Sequence, residues 1–157
     1  MFNYIKKSKQ DRGFTLIELL VVIAIIGFLT SIVMVVLSDA RKKSRDGRRF
    51  EDVRQIKNAL ELYSADKSGN YPPGTDLTLL TTGNYLPVFP TDPLNTGSYT
   101  YSYQGADSSG SACNSGLCAS YVLKAVLEES KQKALGVDID GTFAGVDCAD
   151  PAFCIIP

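Results

Sequence analysis

Residues 12–37 read Arg12-Gly13-Phe14-Thr15-Leu16-Ile17-Glu18 and then LLVVIAIIGFLTSIVMVVL. From Phe14 to Leu37 the run holds 24 residues, with Glu18 as its only charge. As a helix rising 1.5 Å per residue it is about 36 Å long, against a hydrocarbon core of about 30 Å. The segment is therefore long enough to cross a membrane. A lone carboxylate in such a segment is costly unless something neutralises it.

The residues ahead of the run, MFNYIKKSKQDRG, carry Lys6, Lys7, Lys9 and Arg12 against Asp11, a +3 leader of the kind held in the cytoplasm. Its removal would take the chain from −1 to −4. A secretory signal peptide has a shorter apolar core followed by a small-x-small cleavage site, and this sequence has neither. A plain signal anchor explains the length and the leader, but neither Gly13 at the boundary nor Glu18 inside. The chain has no histidine, which excludes Ser-His-Asp and Cys-His catalysis and histidine metal sites within it.

RGFTLIELLVVIAIIG closely resembles the prepilin signature of type IV pilins and of the pseudopilins of type II secretion systems, a match that covers residues 12–37. The resemblance implies that a membrane peptidase and methyltransferase cuts between Gly13 and Phe14 and methylates the new amino terminus at Phe14. The apolar run then stays with the mature protein. The new amine and Glu18 lie four residues apart, near one helical face, so they can neutralise each other. In a bundle of such helices the amine of one subunit meets Glu18 of its neighbour, which fixes axial register. A glutamate snorkelling to headgroups is the plainer reading. Gly27 stands where many pilins have a glycine, and suits either close packing or simple tolerance in a membrane helix. The proline that family members often carry further along the segment is missing.

Beyond Leu37, SDARKKSRDGRRF sets Arg41, Lys42, Lys43, Arg45, Arg48 and Arg49 against Asp39 and Asp46. Six basic residues outnumber the leader's four, so orientation rests on the signature and the cysteines rather than on charge. A solvated helical face is the expected role of this collar, ahead of contact with headgroups or with acidic neighbours, and nucleic acid is an unlikely partner. Phe50, Val53, Ile56, Leu60 and Tyr63 recur at helical steps, so the helix is predicted to run to Asp66, with Gly47 as a candidate bend, and to end in DKSGNYPPG.

Further on, a turn-rich loop, an extended piece at Leu86 to Phe89 and the alternation Tyr99, Tyr101, Tyr103 point to a strand. Tyr71-Pro72, Asp92-Pro93 and Tyr101 with Tyr103 resemble the YP, DP and Y-x-Y elements of the major pseudopilins. A second strand is predicted over Ala119 to Glu128, and residues 137–146 as a turn between short strands. The expected fold is α+β and pilin-like. It comprises a leader over 1–13, a membrane or filament-core helix over 14–37, its amphipathic continuation over 38–66, and a small antiparallel sheet head over 67–157.

Cys113, Cys118, Cys148 and Cys154 allow three pairings, of which the two local ones are the most economical, and no CxxC zinc spacing is present. Disulfides fit an exported, oxidising location for the head. Asp138, Asp140, Asp147 and Asp150 crowd the carboxy-terminal part. Major pseudopilins commonly hold calcium in that region, so the resemblance implies a calcium site with Asp138 and Asp140 as candidate ligands. Turn-forming aspartates without metal are the competing reading.

The sequence thus supports a non-enzymatic filament subunit anchored in the cytoplasmic membrane with its head outside. The head pattern favours a type II secretion pseudopilin over a type IV pilin for adhesion, motility or DNA uptake. The resemblance implies as partners further copies of the chain, a prepilin peptidase, a platform membrane protein and an assembly ATPase. The retained Glu18 suits a main subunit, since tip components often lack it. A membrane-anchored binding module is the distant alternative.

Overall fold

The computed structural model describes residues 13–157, so the leader apart from Gly13 lies outside the described residues. The chain divides into two compact units, Met1–Asp39 and Ala40–Pro157. Helix α1, Leu16–Asp66, belongs to both.

In the first unit α1 starts at a reciprocal cap. The Thr15 hydroxyl accepts a hydrogen bond from the Glu18 amide at 3.3 Å, while Glu18 Oε2 accepts from the Thr15 amide at 2.9 Å and the Thr15 hydroxyl at 2.8 Å. This is a capping box, and it sets the first turn of the helix. Thr30 and Ser31, the hydroxyl residues between the cap and Leu37, donate to the carbonyls of Ile26 and Phe28 and so are already bonded within the helix. The large apolar side chains from Phe14 to Leu37 are all exposed.

In the second unit, α1 is followed by α2 (Thr78–Thr82), β1 (Ser102–Ala106), β2 (Ser120–Val126), a 3-10 turn (Lys133–Gly136), β3 (Thr142–Phe143), β4 (Val146–Asp147) and β5 (Ala152–Ile155). Strands β1, β2 and β5 form an antiparallel sheet in that order, and β3 and β4 form a separate hairpin. Alternation along β2 sends Tyr121, Leu123 and Ala125 to one face and Val122 to the other. The first face packs on Val53, Ile56, Ala59 and Leu60 of α1, with Leu77, Leu80 and Leu86 closing the core. Val122 packs instead with Ala106, Ala144, Cys148 and Cys154.

The α+β class and the helical stripe agree with expectation, but four details differ. The third strand of the head's sheet is β5, a segment for which the sequence predicts no strand. The hairpin sits at 142–147, because Ala144 and Gly145 both take positive φ, as a two-residue turn requires, whereas Asp138 to Gly141 form no strand. The stretch Leu86 to Phe89 is bent and joins no ladder, and α2 replaces part of the turn-rich loop. Helix α1 passes through Gly47 without interruption.

Two glycines make opposite demands. A Cβ on Gly105 in β1 would lie 2.6 Å from the Pro72 carbonyl oxygen and 3.2 Å from Cys118 Sγ, whereas one on Gly47 would meet nothing within 4 Å. Gly105→Ala is expected to destabilise the head by about 1–3 kcal/mol, and Gly47→Ala to stabilise it by about 0.5–1 kcal/mol. Denaturant unfolding of the detergent-solubilised chain, followed by tyrosine fluorescence, checks both signs.

Candidate functional site

Three groups of side chains carry the chemistry of this chain. The first lies at the start of α1. Gly13 has open space where a side chain would be, Phe14 is 87% exposed, and Glu18 is exposed. Both capping bonds to the Glu18 side chain use Oε2, which leaves Oε1 for a second donor. The pattern Thr15-x-x-Glu18 is the sequence signal for this box, and its immersion in an apolar run hides it.

The second group joins α1 to the head's loops and corrects, for Arg45 and Arg49, the reading of the basic collar as solvated, whereas Arg41, Lys43 and Arg48 are exposed. Arg49 is fully buried. Its Nε and Nη2 hold both oxygens of Asp92 at 2.6 and 3.0 Å, and its Nη1 donates to Asp46 at 2.7 Å and to Glu128 at 2.9 Å. Arg45 forms a bidentate pair with Glu128 at 2.7 and 2.6 Å. Asp46 accepts the backbone amides of Glu128 and Glu129 at 3.0 Å, and Asp92 accepts that of Leu94 at 2.8 Å. The Tyr99 ring lies 4.8 Å from the Arg49 guanidinium carbon, and the Tyr101 hydroxyl donates to Asp52 at 2.6 Å.

Burial alone would disfavour the Arg49 cation, yet its bonds to Asp92, Glu128 and Asp46 outweigh this and raise its pKa. The hydrogen bond from Arg45 is the main cause that lowers the Glu128 carboxyl to about 2, against burial and with further help from Arg49. Asp92 is lowered as well. Burial opposes this, and the Arg49 bond and two backbone amides prevail.

The third group is carboxy-terminal. The disulfides are Cys113–Cys118 and Cys148–Cys154. Asp138, Asp140 and Asp150 bring carboxylate oxygens within 4.8 Å of one another. Asp138 Oδ2 accepts the Cys154 amide at 2.9 Å, while its Oδ1 is buried with no hydrogen-bond partner. Burial raises the Asp138 carboxyl, with like charge from Asp140 and Asp150 adding to the effect. Asp147 stands apart from this trio and caps the Ala149 amide at 3.0 Å, a turn-forming role.

Residues 8–38 match the family model described as the prokaryotic N-terminal methylation motif. The chain carries that motif. The chain is 34% identical to the type II secretion system core protein G of Vibrio cholerae over 90 residues, which are 57% of this chain and 56% of that protein. It is 37% identical to the core protein G of Escherichia coli over 67 residues, 43% and 46% of the two chains. A fimbrial protein, EcpB of Eikenella corrodens, is 42% identical over 56 residues, 36% and 35% of the two. The chain thus spans about half the length of the curated relatives it matches. No solved structure matches it. The methylation motif covers the capping box and the exposed run, whereas the Arg49 cluster lies outside it.

Arg49→Leu strands the buried carboxylates of Asp46 and Asp92 without their cation, so it is expected to cost about 3–5 kcal/mol in denaturant unfolding. The pH dependence follows from Glu128. Its lowered pKa contributes stability that is complete above the ordinary value of 4.5 and is lost as pH falls toward about 2. Unfolding midpoints should decline across that window, and less steeply in a Glu128→Gln variant.

Proposed function

We propose that this chain is a structural subunit of a type II secretion pseudopilus, held in the cytoplasmic membrane by residues 14–37 with its head outside until it is assembled. The observation that carries this is the wholly exposed apolar run led by Glu18, within a methylation motif and in a chain similar to core protein G of secretion systems. An exposed apolar surface of this extent requires lipid or other copies of itself to cover it. Lipid covers it in the membrane, and neighbouring helices cover it in a filament.

In this reading the leader is cut between Gly13 and Phe14, and the methylated amine of Phe14 meets Glu18 Oε1 of a neighbouring copy. The Thr15 cap occupies only Oε2, so Glu18 can hold the start of its own helix and receive the neighbour's amine together. The peptidase, the platform protein and the assembly ATPase are the partners such a cycle needs. No catalytic step is assigned to the chain.

Calcium fits the carboxy-terminal trio, because three carboxylates converge there, Asp138 Oδ1 is buried without a partner, and hard oxygen ligands suit that ion. Asp138, Asp140 and Asp150 would hold it. The ion would neutralise their mutual repulsion and tie the loop before β3 to the loop before β5. Saturating calcium at about 100 times its dissociation constant is then expected to stabilise the chain by about 2.7 kcal/mol. Thermal melting with calcium and with a chelator measures this, and an unchanged transition removes the ion from the account.

The assembly reading is tested by shearing cells that express the chain at native level. Phe14-started protein is expected to stay in the envelope, and deletion of the gene to abolish secretion. Release in long surface filaments would instead favour a type IV pilus, the reading to which the similarity to a fimbrial protein points. Glu18→Ala should leave the head folded and prevent incorporation, and normal incorporation of that variant would refute the register role of Glu18.

A further inference from the structure

We infer that the groove walled by Lys43, Lys131 and Lys133 binds phospholipid headgroups and seats the head on an anionic membrane surface. This rests on the reading of residues 14–37 as a membrane helix. The groove is open, about 740 Å³ in volume, and its floor is formed by Gly47 and Phe50 of α1. Lys43 reaches it from α1, Lys131 from the loop after β2 and Lys133 from the start of the 3-10 turn, all three exposed. Glu129 is the only carboxylate among the lining residues, so the groove carries a net positive charge.

The collar's basic residues therefore divide into two kinds. Arg45 and Arg49 are consumed by Asp46, Asp92 and Glu128. No ion pair to Lys43, Lys131 or Lys133 occurs among the described residues. Three ammonium groups without an ion pair stand around one hollow, beside a cluster in which Arg45 and Arg49 are matched by Asp46, Asp92 and Glu128, and this marks the hollow as a place for an anion.

Position identifies which anion. Lys43 lies only six residues beyond Leu37, the last residue of the apolar run. So short a connection keeps it within reach of the headgroup layer that flanks the hydrocarbon core. Val137, four residues beyond Lys133 in the chain, is 86% exposed, and an exposed aliphatic residue close in sequence to basic ones suits an interfacial surface. Gly47 contributes by having no side chain in the hollow, with open space where a Cβ would stand.

The test uses the full chain in vesicles of phosphatidylcholine, alone or mixed with phosphatidylglycerol, and a membrane-impermeant acetylating reagent read residue by residue. Lys43, Lys131 and Lys133 are expected to react at least about fivefold more slowly in the anionic vesicles, with the difference collapsing in high salt. Lys67, exposed at the far end of α1, should react equally in both. In a Lys131→Gln, Lys133→Gln double variant the protection of Lys43 should fall. Equal rates for all four lysines would overturn the proposal. So would protection in phosphatidylcholine produced by added inorganic phosphate, which indicates a free-anion site, or by crowding of the protein, which indicates an interface between copies. Carbonate extraction separates the levels. An extracted chain refutes the membrane helix itself, whereas an embedded chain with equal rates refutes only the headgroup site.

Discussion

The head depends on the placement of one buried cation. Arg49 has no exposed surface, and three carboxylates from three places in the sequence converge on it. Asp46 comes from its own helix, Asp92 from the loop after α2, and Glu128 from the residues that follow β2. A charge removed from water is tolerated only when its partners are close and numerous, so each of these segments is committed to one position once Arg49 is in place. The two aspartates add a second level of constraint, because Asp46 also holds the amides of Glu128 and Glu129, and Asp92 that of Leu94. Such a cluster contributes definition of geometry more than net stability.

The tyrosines extend this logic along the sheet. Tyr99 offers its ring to Arg49, Tyr101 its hydroxyl to Asp52, and Tyr103 its hydroxyl to the Pro72 carbonyl at 2.7 Å. Of the three only Tyr103 lies in β1, and together they meet α1 twice and the loop after α1 once. Tyr71 closes the other side, edge-on to Tyr121 at 4.8 Å, and its amide bonds to the Cys118 carbonyl at 2.8 Å. The Cys113–Cys118 bridge therefore fixes a loop against the same strand that Gly105 allows to approach the Pro72 carbonyl.

Legibility in the sequence varied with the range of the interaction. The helix was readable because Val53, Ile56 and Leu60 repeat at the spacing that a buried stripe demands, and β2 because its apolar alternation is local. The sheet's third strand was not, since Ala152 to Ile155 is too short to show a period and its pairing with β2 spans some thirty residues. The cluster was hidden for a different reason. Arg45 and Arg49 share a strongly basic stretch with four residues of the same charge, and only the distant Asp92 and Glu128 distinguish them. The aspartates crowd together in the sequence, but the separation of Asp147 from the other three needs the hairpin, which places it at a turn.

The apolar run also limits how the chain can travel. Eighteen large hydrophobic side chains between Phe14 and Leu37 stand in the open, and uncovering them to water would cost on the order of tens of kcal/mol. No dissolved intermediate can be populated against such a penalty. For the membrane-held subunit proposed above, leaving one apolar environment requires already touching the next, so its search for a partner is confined to two dimensions. The encounter rate is then set by lateral density in the bilayer rather than by concentration in solution.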